Sequence, residues 1–156
     1  MTVSPYILAL REKIGHDVLL LPSVTAVVVD GEGRFLLSRA FADAQWSLVG
    51  GGVEIGEDPA EAVVREVSEE LGVGCTVLGV LGVFGGSTLE VTYPNGDQVA
   101  YVATAFLVEL ERQVVDVAAE ATDGELFAVG WFTPREIETL DRKPYVDRVV
   151  AAYAAR

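Results

Sequence analysis

The sequence predicts an α/β fold in which helices stand singly among the strands of a mixed sheet. Three observations carry this expectation. Runs rich in β-branched and aromatic residues outnumber helical patterns, the helical patterns fall between those runs one at a time, and one helix is marked by signals at both ends. On pattern alone an α+β sandwich and an α/β sandwich both stand open. At 156 residues the chain suits one domain spanning 1–156.

Residues 4–14 read as a short helix with Ile7, Leu10 and Ile14 on one side. Ser23–Val29 is β-branched, and after Asp30-Gly31-Glu32-Gly33 comes the apolar run Phe35-Leu36-Leu37. Two strands about a glycine-rich turn predict a hairpin. A dinucleotide-binding loop fits less well, because Leu36 stands where the third glycine of that fingerprint belongs.

The best-marked helix covers 58–71. Asp58 suits the N-cap, Pro59 the first helical position, and Glu61 completes a capping-box spacing. Ala60, Val63, Val64, Val67 and Leu71 recur at helical spacing, and Gly72 is the expected stop. Beyond Val73 the pattern predicts strands at Val77–Phe84, Thr88–Tyr93 and Asp97–Val108, with a Pro94-Asn95-Gly96 turn before the last. The acidic stretch 109–125 reads as a loop, Leu126–Phe132 as a strand, and helices are expected from Pro134 and over Tyr145–Ala154.

The formal charge is −13, from 24 acidic and 11 basic residues, which argues against a nucleic-acid or anionic-membrane partner held by a positive face. The charge is uneven. Residues 51–73 carry a net −6 and residues 109–125 a net −5, leaving −2 for the rest. Cys75 and His16 stand alone among their residue types, too few for a disulfide framework or a Cys/His zinc site. Only the short apolar stretch Tyr6–Leu10 precedes Arg11, Glu12 and Lys13, so neither a signal peptide nor a spanning helix is indicated, and a cytoplasmic location is the expectation.

Glu66, Glu69 and Glu70 lie at i, i+3 and i+4 near the C-terminal end of the 58–71 helix, where the spacing predicts that they face away from the Val63/Val67 stripe. Mutual repulsion and the helix dipole both disfavour acids there, so the cluster calls for a cation. Carboxylates gathered without His or Cys suit Mg²⁺ or Mn²⁺, which would turn a repulsive surface into a phosphate site.

Gly51, Glu57 and the run Arg65-Glu66-Val67-Ser68-Glu69-Glu70-Leu71-Gly72-Val73 match the Nudix box at every specified position, so the chain resembles the Nudix hydrolases over 51–73. Seven identities and two apolar positions arise by chance at a given start with odds on the order of 10⁻⁹. The preceding Gln45-Trp46-Ser47-Leu48-Val49-Gly50 also resembles that family's approach to the box, with Val49 where a proline is often found. A weaker likeness to ADP-ribose pyrophosphatases covers Arg11–Arg39.

The resemblance implies a Nudix-type α/β/α sandwich and metal-dependent cleavage of a diphosphate in a nucleoside diphosphate derivative, ADP-ribose-like or sugar-nucleotide-like, releasing a nucleoside monophosphate. It implies Glu66, Glu69, Glu70 and the Gly50 carbonyl as metal ligands, with Arg65 and Glu57 at the remaining polar positions of the box. The general base is either Glu69 or a loop carboxylate, for which Glu125 is the choice over Glu120 and Asp123. Arg39, Arg34 and Trp46 are the candidates for substrate contact. Phe84, Tyr93 and Tyr101 are aromatic residues better explained by packing. Two alternatives are a MutT-like nucleoside triphosphate pyrophosphohydrolase and a non-catalytic nucleotide sensor. A homodimer is a family-level expectation.

Overall fold

The computed structural model describes residues 4–40, 45–114, 117–120 and 126–156. In chain order the elements are α1 (Pro5–Ile14), β1 (Leu19–Val27), β2 (Phe35–Ala40), β3 (Gly50–Gly52), α2 (Pro59–Leu71), β4 (Cys75–Phe84), β5 (Glu90–Thr92), β6 (Gln98–Leu110), β7 (Val117–Glu120), β8 (Leu126–Phe132), α3 (Pro134–Ile137) and α4 (Tyr145–Ala154). One sheet runs β3-β1-β6-β4, with β5 also paired to β6, and a second runs β2-β8-β7.

The first sheet is mixed, as expected: β1 lies parallel to β6 from Leu19↔Val99 to Val27↔Leu107, whereas β3, β4 and β5 pair antiparallel. Having neighbours on both edges, β1 is buried continuously over its last five residues. The two-residue period of the strands then divides the core. Val24 and Ala26 of β1 and Phe106 and Val108 of β6 pack with Ala62, Val63 and Val67 of α2. Val27, Ala105 and Leu107 join Val146 and Val149 of α4 in a second cluster. The two helices therefore cover different sets of core side chains on the same strands.

Three expectations change in detail. The predicted hairpin survives only at its tip, where the Leu36 amide donates to Val28 at 3.0 Å and Val29 faces Phe35. Beyond that tip β1 already has β3 and β6 as partners, so β2 pairs with β8 in the other sheet. Thr88–Tyr93 divides into a 3₁₀ turn, Ser87–Leu89, followed by the shorter strand β5. Within the stretch read as a loop, β6 continues to Leu110 and β7 adds an edge to β8 from Val117↔Val129 to Glu120↔Leu126. The other helix and strand assignments stand, with α4 matching the expected span.

The N-terminal helix is capped by Ser4, whose hydroxyl accepts from the Ile7 amide at 3.3 Å. Arg11 ties it to the sheet by donating to Gln98 at 2.8 Å. Among the described residues no helix is long and apolar enough to cross a membrane.

Candidate active site

Helix α2 and strand β3 build the site between them. At the helix start the Asp58 side chain accepts from the Ala60 amide at 2.8 Å, and Glu61 accepts from the Asp58 amide at 3.3 Å. At its end Gly72 takes the left-handed conformation, φ 64°, and its amide donates to Ser68. With the helix so phased and Val63 and Val67 wholly buried, Glu66 and Glu70 project one turn apart toward the glycines of β3. The sequence reading set all three glutamates away from the apolar stripe. Glu66 is instead 7% exposed and lies against β3, while Glu69 points outward.

The glycines make this approach feasible. A Cβ on Gly51 would overlap the Glu66 carboxylate, and one on Gly50 would strike the Val24 carbonyl across the β1–β3 pairing. The Gly50 amide donates to Glu70 Oε1 at 3.1 Å, and the Ser38 hydroxyl donates to Glu70 Oε2 at 3.3 Å. Burial, reinforced by the charges of Glu66 and Glu69, nevertheless pushes the Glu70 carboxyl up to about 8. Burial also raises Glu66, against the opposing pull of Arg65.

Arg65 is the cation among these acids. Its Nε donates to Glu57 Oε1 at 2.7 Å and its Nη2 to Glu57 Oε2 at 3.0 Å, with a further bond to the Gly52 carbonyl at 2.9 Å. Its Nη1 reaches Glu66 at 2.8 Å and Glu69 at 3.4 Å. The Arg65 bonds hold Glu57 below the usual carboxylate range, and Arg65 is itself shifted upward by Glu57 and Glu66.

The substrate candidates separate. Arg39, at the end of β2, lies 4.9 Å over the Trp46 ring, and Trp46 meets Phe132 edge-on at 4.8 Å. Beside Arg39 a cavity of about 150 Å³ is lined by Gln45, Ser47, Gly50, Glu70 and Lys143. Arg34 does not join it. At the other end of β2 its Nε pairs with Asp30 at 2.8 Å and its Nη2 with Glu32 at 3.3 Å. It lines a different cavity of about 570 Å³, with Arg112 and Trp131. Its nearby Asp30 captures it before it can reach toward α2. Tyr93 and Tyr101 bond each other through their hydroxyls at 2.7 Å, and Phe84 is core. Glu125 lies outside the described residues.

Sequence reasoning missed Ser38 and Lys143. Ser38 sits mid-strand without any pattern to mark it, and Lys143 is brought beside Glu70 only because its loop is bonded to Trp46. As they stand, among the described residues no three acidic, histidine or cysteine side chains enclose a cation. Glu66 and Glu69 turn toward Arg65, and Glu70 toward Gly50 and Ser38. The donor chemistry still suits a hard divalent cation: carboxylate oxygens at a glycine cradle that any Cβ at 51 would fill.

The chain is thus a mixed α/β protein that sets an acidic helix end against a glycine strand. The model of the NUDIX domain matches residues 19–153, and the chain belongs to the Nudix family. It is a Nudix pyrophosphohydrolase. A "MutT-like protein" of Streptomyces ambofaciens is 33% identical over 130 residues, covering 83% of this chain and 75% of the relative. A "Nucleoside triphosphatase NudI" of Klebsiella pneumoniae (strain 342) is 30% identical over 126 residues, covering 76% and 86%. In fold the chain is similar to a NUDIX hydrolase from Nitrosomonas europaea, with TM-score 0.62 and 22% identity over 88% of this chain and 90% of that one. Nudix hydrolases generally use divalent metal ions.

Proposed function

We propose that this chain hydrolyses a diphosphate linkage in a small nucleotide with the help of Mg²⁺ or Mn²⁺, releasing a nucleoside monophosphate. The observation that carries this reading is the placement of Glu66 and Glu70 against the glycines of β3, where a Cβ on Gly51 would overlap the Glu66 carboxylate and the Gly50 amide donates to Glu70 at 3.1 Å. Such an arrangement is costly in a metal-free protein and is relieved by a divalent cation.

In this reading Glu66, Glu69, Glu70 and the Gly50 carbonyl hold the metal. When bound, the ion neutralises phosphate oxygens and lowers the pKa of an attacking water. The chain's own groups do the rest. Arg65 fixes Glu66 and steadies the turn through Glu57 and Gly52. Glu69, whose side chain is 54% exposed, has the freedom to take the proton of the attacking water, and Glu125 is the alternative base. Arg39, beside Glu70 in the small cavity, meets a phosphate oxygen.

A nucleoside diphosphate derivative of the ADP-ribose or sugar-nucleotide kind is the substrate class the sequence suggests. A nucleoside triphosphate is the second reading, favoured by the name of the Klebsiella relative. The test is a panel of both classes assayed with Mg²⁺, with Mn²⁺ and with chelator, for the wild type and for Glu69→Gln and Glu70→Gln. Metal-dependent release of a monophosphate by the wild type, lost in folded variants, is the expected result. Unchanged turnover in both variants would remove these glutamates from the chemistry.

A further inference from the structure

We infer that Tyr145 is a positioning residue for the proposed hydrolysis: from the start of α4, through Ser47, it fixes the short segment that carries the Gly50 backbone to Glu70. In this role, which rests on the proposed metal-dependent reaction, Tyr145 acts at one remove from the metal ligands.

Residues 47–50 pass from one sheet to the other. Ser47 exchanges two backbone bonds with Ser38 of β2, both at 2.8 Å, whereas the Val49 carbonyl accepts from Ala26 of β1 at 2.8 Å and Gly50 opens β3. A backbone that changes sheets within three residues has no continuous ladder to set its position. Leu48 and Val49 are buried, but apolar burial is non-directional and fixes depth better than orientation. Both groups that grip Glu70 nevertheless depend on this crossing. The Ser38 hydroxyl belongs to the residue paired with Ser47, and the Gly50 amide ends the segment.

Tyr145 supplies the directional contact. Its hydroxyl lies 2.8 Å from Ser47 Oγ, and Thr25, which faces Gly50 across the β1–β3 pairing, brings its own hydroxyl to the same oxygen. The phenol end is therefore lodged between the two stretches of chain that frame Gly50. Burial raises this hydroxyl above the ordinary tyrosine range, so it serves as a neutral hydrogen-bonding group. The helix that carries it is itself anchored. Val146 and Val149 are wholly buried, and the Lys143 amide donates to the Trp46 carbonyl at 2.9 Å, one residue before Ser47. A connected series, Tyr145 to Ser47 to Ser38 to Glu70, thus runs from α4 to the acidic helix.

Tyr145→Phe removes the hydroxyl and keeps the ring. Tyr153→Phe removes a hydroxyl from the same helix, at a ring that packs edge-on against Phe35. The measurements are calorimetric titration of Mn²⁺ into the substrate-free proteins, melting curves, and kinetics on a cleaved nucleotide over a range of metal concentration. Loss of the orienting bond predicts about five- to tenfold weaker Mn²⁺ binding in Tyr145→Phe and a similar rise in half-saturating metal. KM for the nucleotide at saturating metal should not change, and Tyr153→Phe should match the wild type. Ser47→Ala should show the same loss as Tyr145→Phe, and the double variant no more than either, because each removes the one contact. Wild-type Mn²⁺ affinity in Tyr145→Phe, whatever its melting temperature, would overturn the role. Additive losses in the double variant, or an equal loss in Tyr153→Phe, would do the same. If the wild type cleaves no nucleotide with metal, the hydrolase reading itself fails. Metal-dependent cleavage that is lost in Glu70→Gln but keeps its wild-type metal dependence in Tyr145→Phe defeats the positioning role alone.

Discussion

Arg65 Nη2 bonds two partners that the chain places thirteen and eight residues earlier, the Gly52 carbonyl at 2.9 Å and Glu57 Oε2 at 3.0 Å. One guanidinium therefore closes the loop between β3 and α2 while its other end holds Glu66. A lysine provides a point charge and cannot reproduce this fork. Arg65→Lys should cost about 1–2 kcal/mol of stability, from at least one lost charge-assisted bond in a partly exposed setting. Activity should fall more than stability, because Glu66 and Glu69 lose a shared partner. Denaturant unfolding beside steady-state kinetics checks both, and a variant with wild-type kinetics would show that the fork is dispensable.

The contrast between two adjacent glycines gives a sharper test of the cradle. A Cβ at Gly51 meets the Glu66 carboxylate, whereas one at Gly52 has nothing within 4 Å. Gly51→Ala must therefore displace Glu66 or the strand, at about 1–3 kcal/mol by analogy with overpacked sites, and it should weaken divalent-metal binding. Gly52→Ala should leave both within error of the wild type. Calorimetric titration of Mn²⁺ into each variant, with melting curves, makes the comparison. Equal metal affinity in the two would mean that Glu66 does not need its place against Gly51.

Helix α2 was legible in the sequence down to its cap residues because capping is a local competition, settled within four residues by Asp58, Pro59 and Glu61. The glutamate cluster was legible for the same reason, since a spacing of three or four residues fixes neighbours on a helix. What lay beyond reach depends on long-range pairing. Nothing in Phe35–Leu37 tells it to leave β1 for β8, a choice made by β6 occupying the other edge of β1. Arg34 and Arg39 flank the second hairpin strand as two like cations, yet Asp30 holds the first in its turn. Lys143 reaches the site only through the backbone bonds of its loop to Trp46, which leave no trace in residue type.

The cap itself can be weighed. Asp58 satisfies the Ala60 amide, and its own amide is satisfied by Glu61, so Asp58→Ala removes one half of a reciprocal pair. A loss of about 1 kcal/mol in global stability is expected. The catalytic glutamates proposed here lie at the far end of the helix, two or more turns away, so kcat should change little. Hydrogen exchange should show the fraying confined to the first turn. A large loss of activity without loss of stability would mean that the helix start contributes to the site directly.

The final prediction follows from Glu70. Its carboxyl lies at about 8 in the folded protein, against an ordinary value of 4.5. Between those two pH values the unfolded chain has released a proton that the folded chain keeps. The metal-free protein therefore loses stability as pH rises through this window, and above about 8 the full penalty is present. A divalent cation that takes Glu70 as a ligand must displace that proton. Metal binding near pH 7 should thus release protons, and apparent affinity should climb with pH until it levels off near 8. Titration calorimetry of Mg²⁺ or Mn²⁺ in two buffers of different ionisation enthalpy measures the release directly. Glu70→Gln should abolish most of it and should also flatten the fall of metal-free stability between pH 5 and 8. If proton release persists undiminished in that variant, Glu66 rather than Glu70 is the group that couples metal to pH.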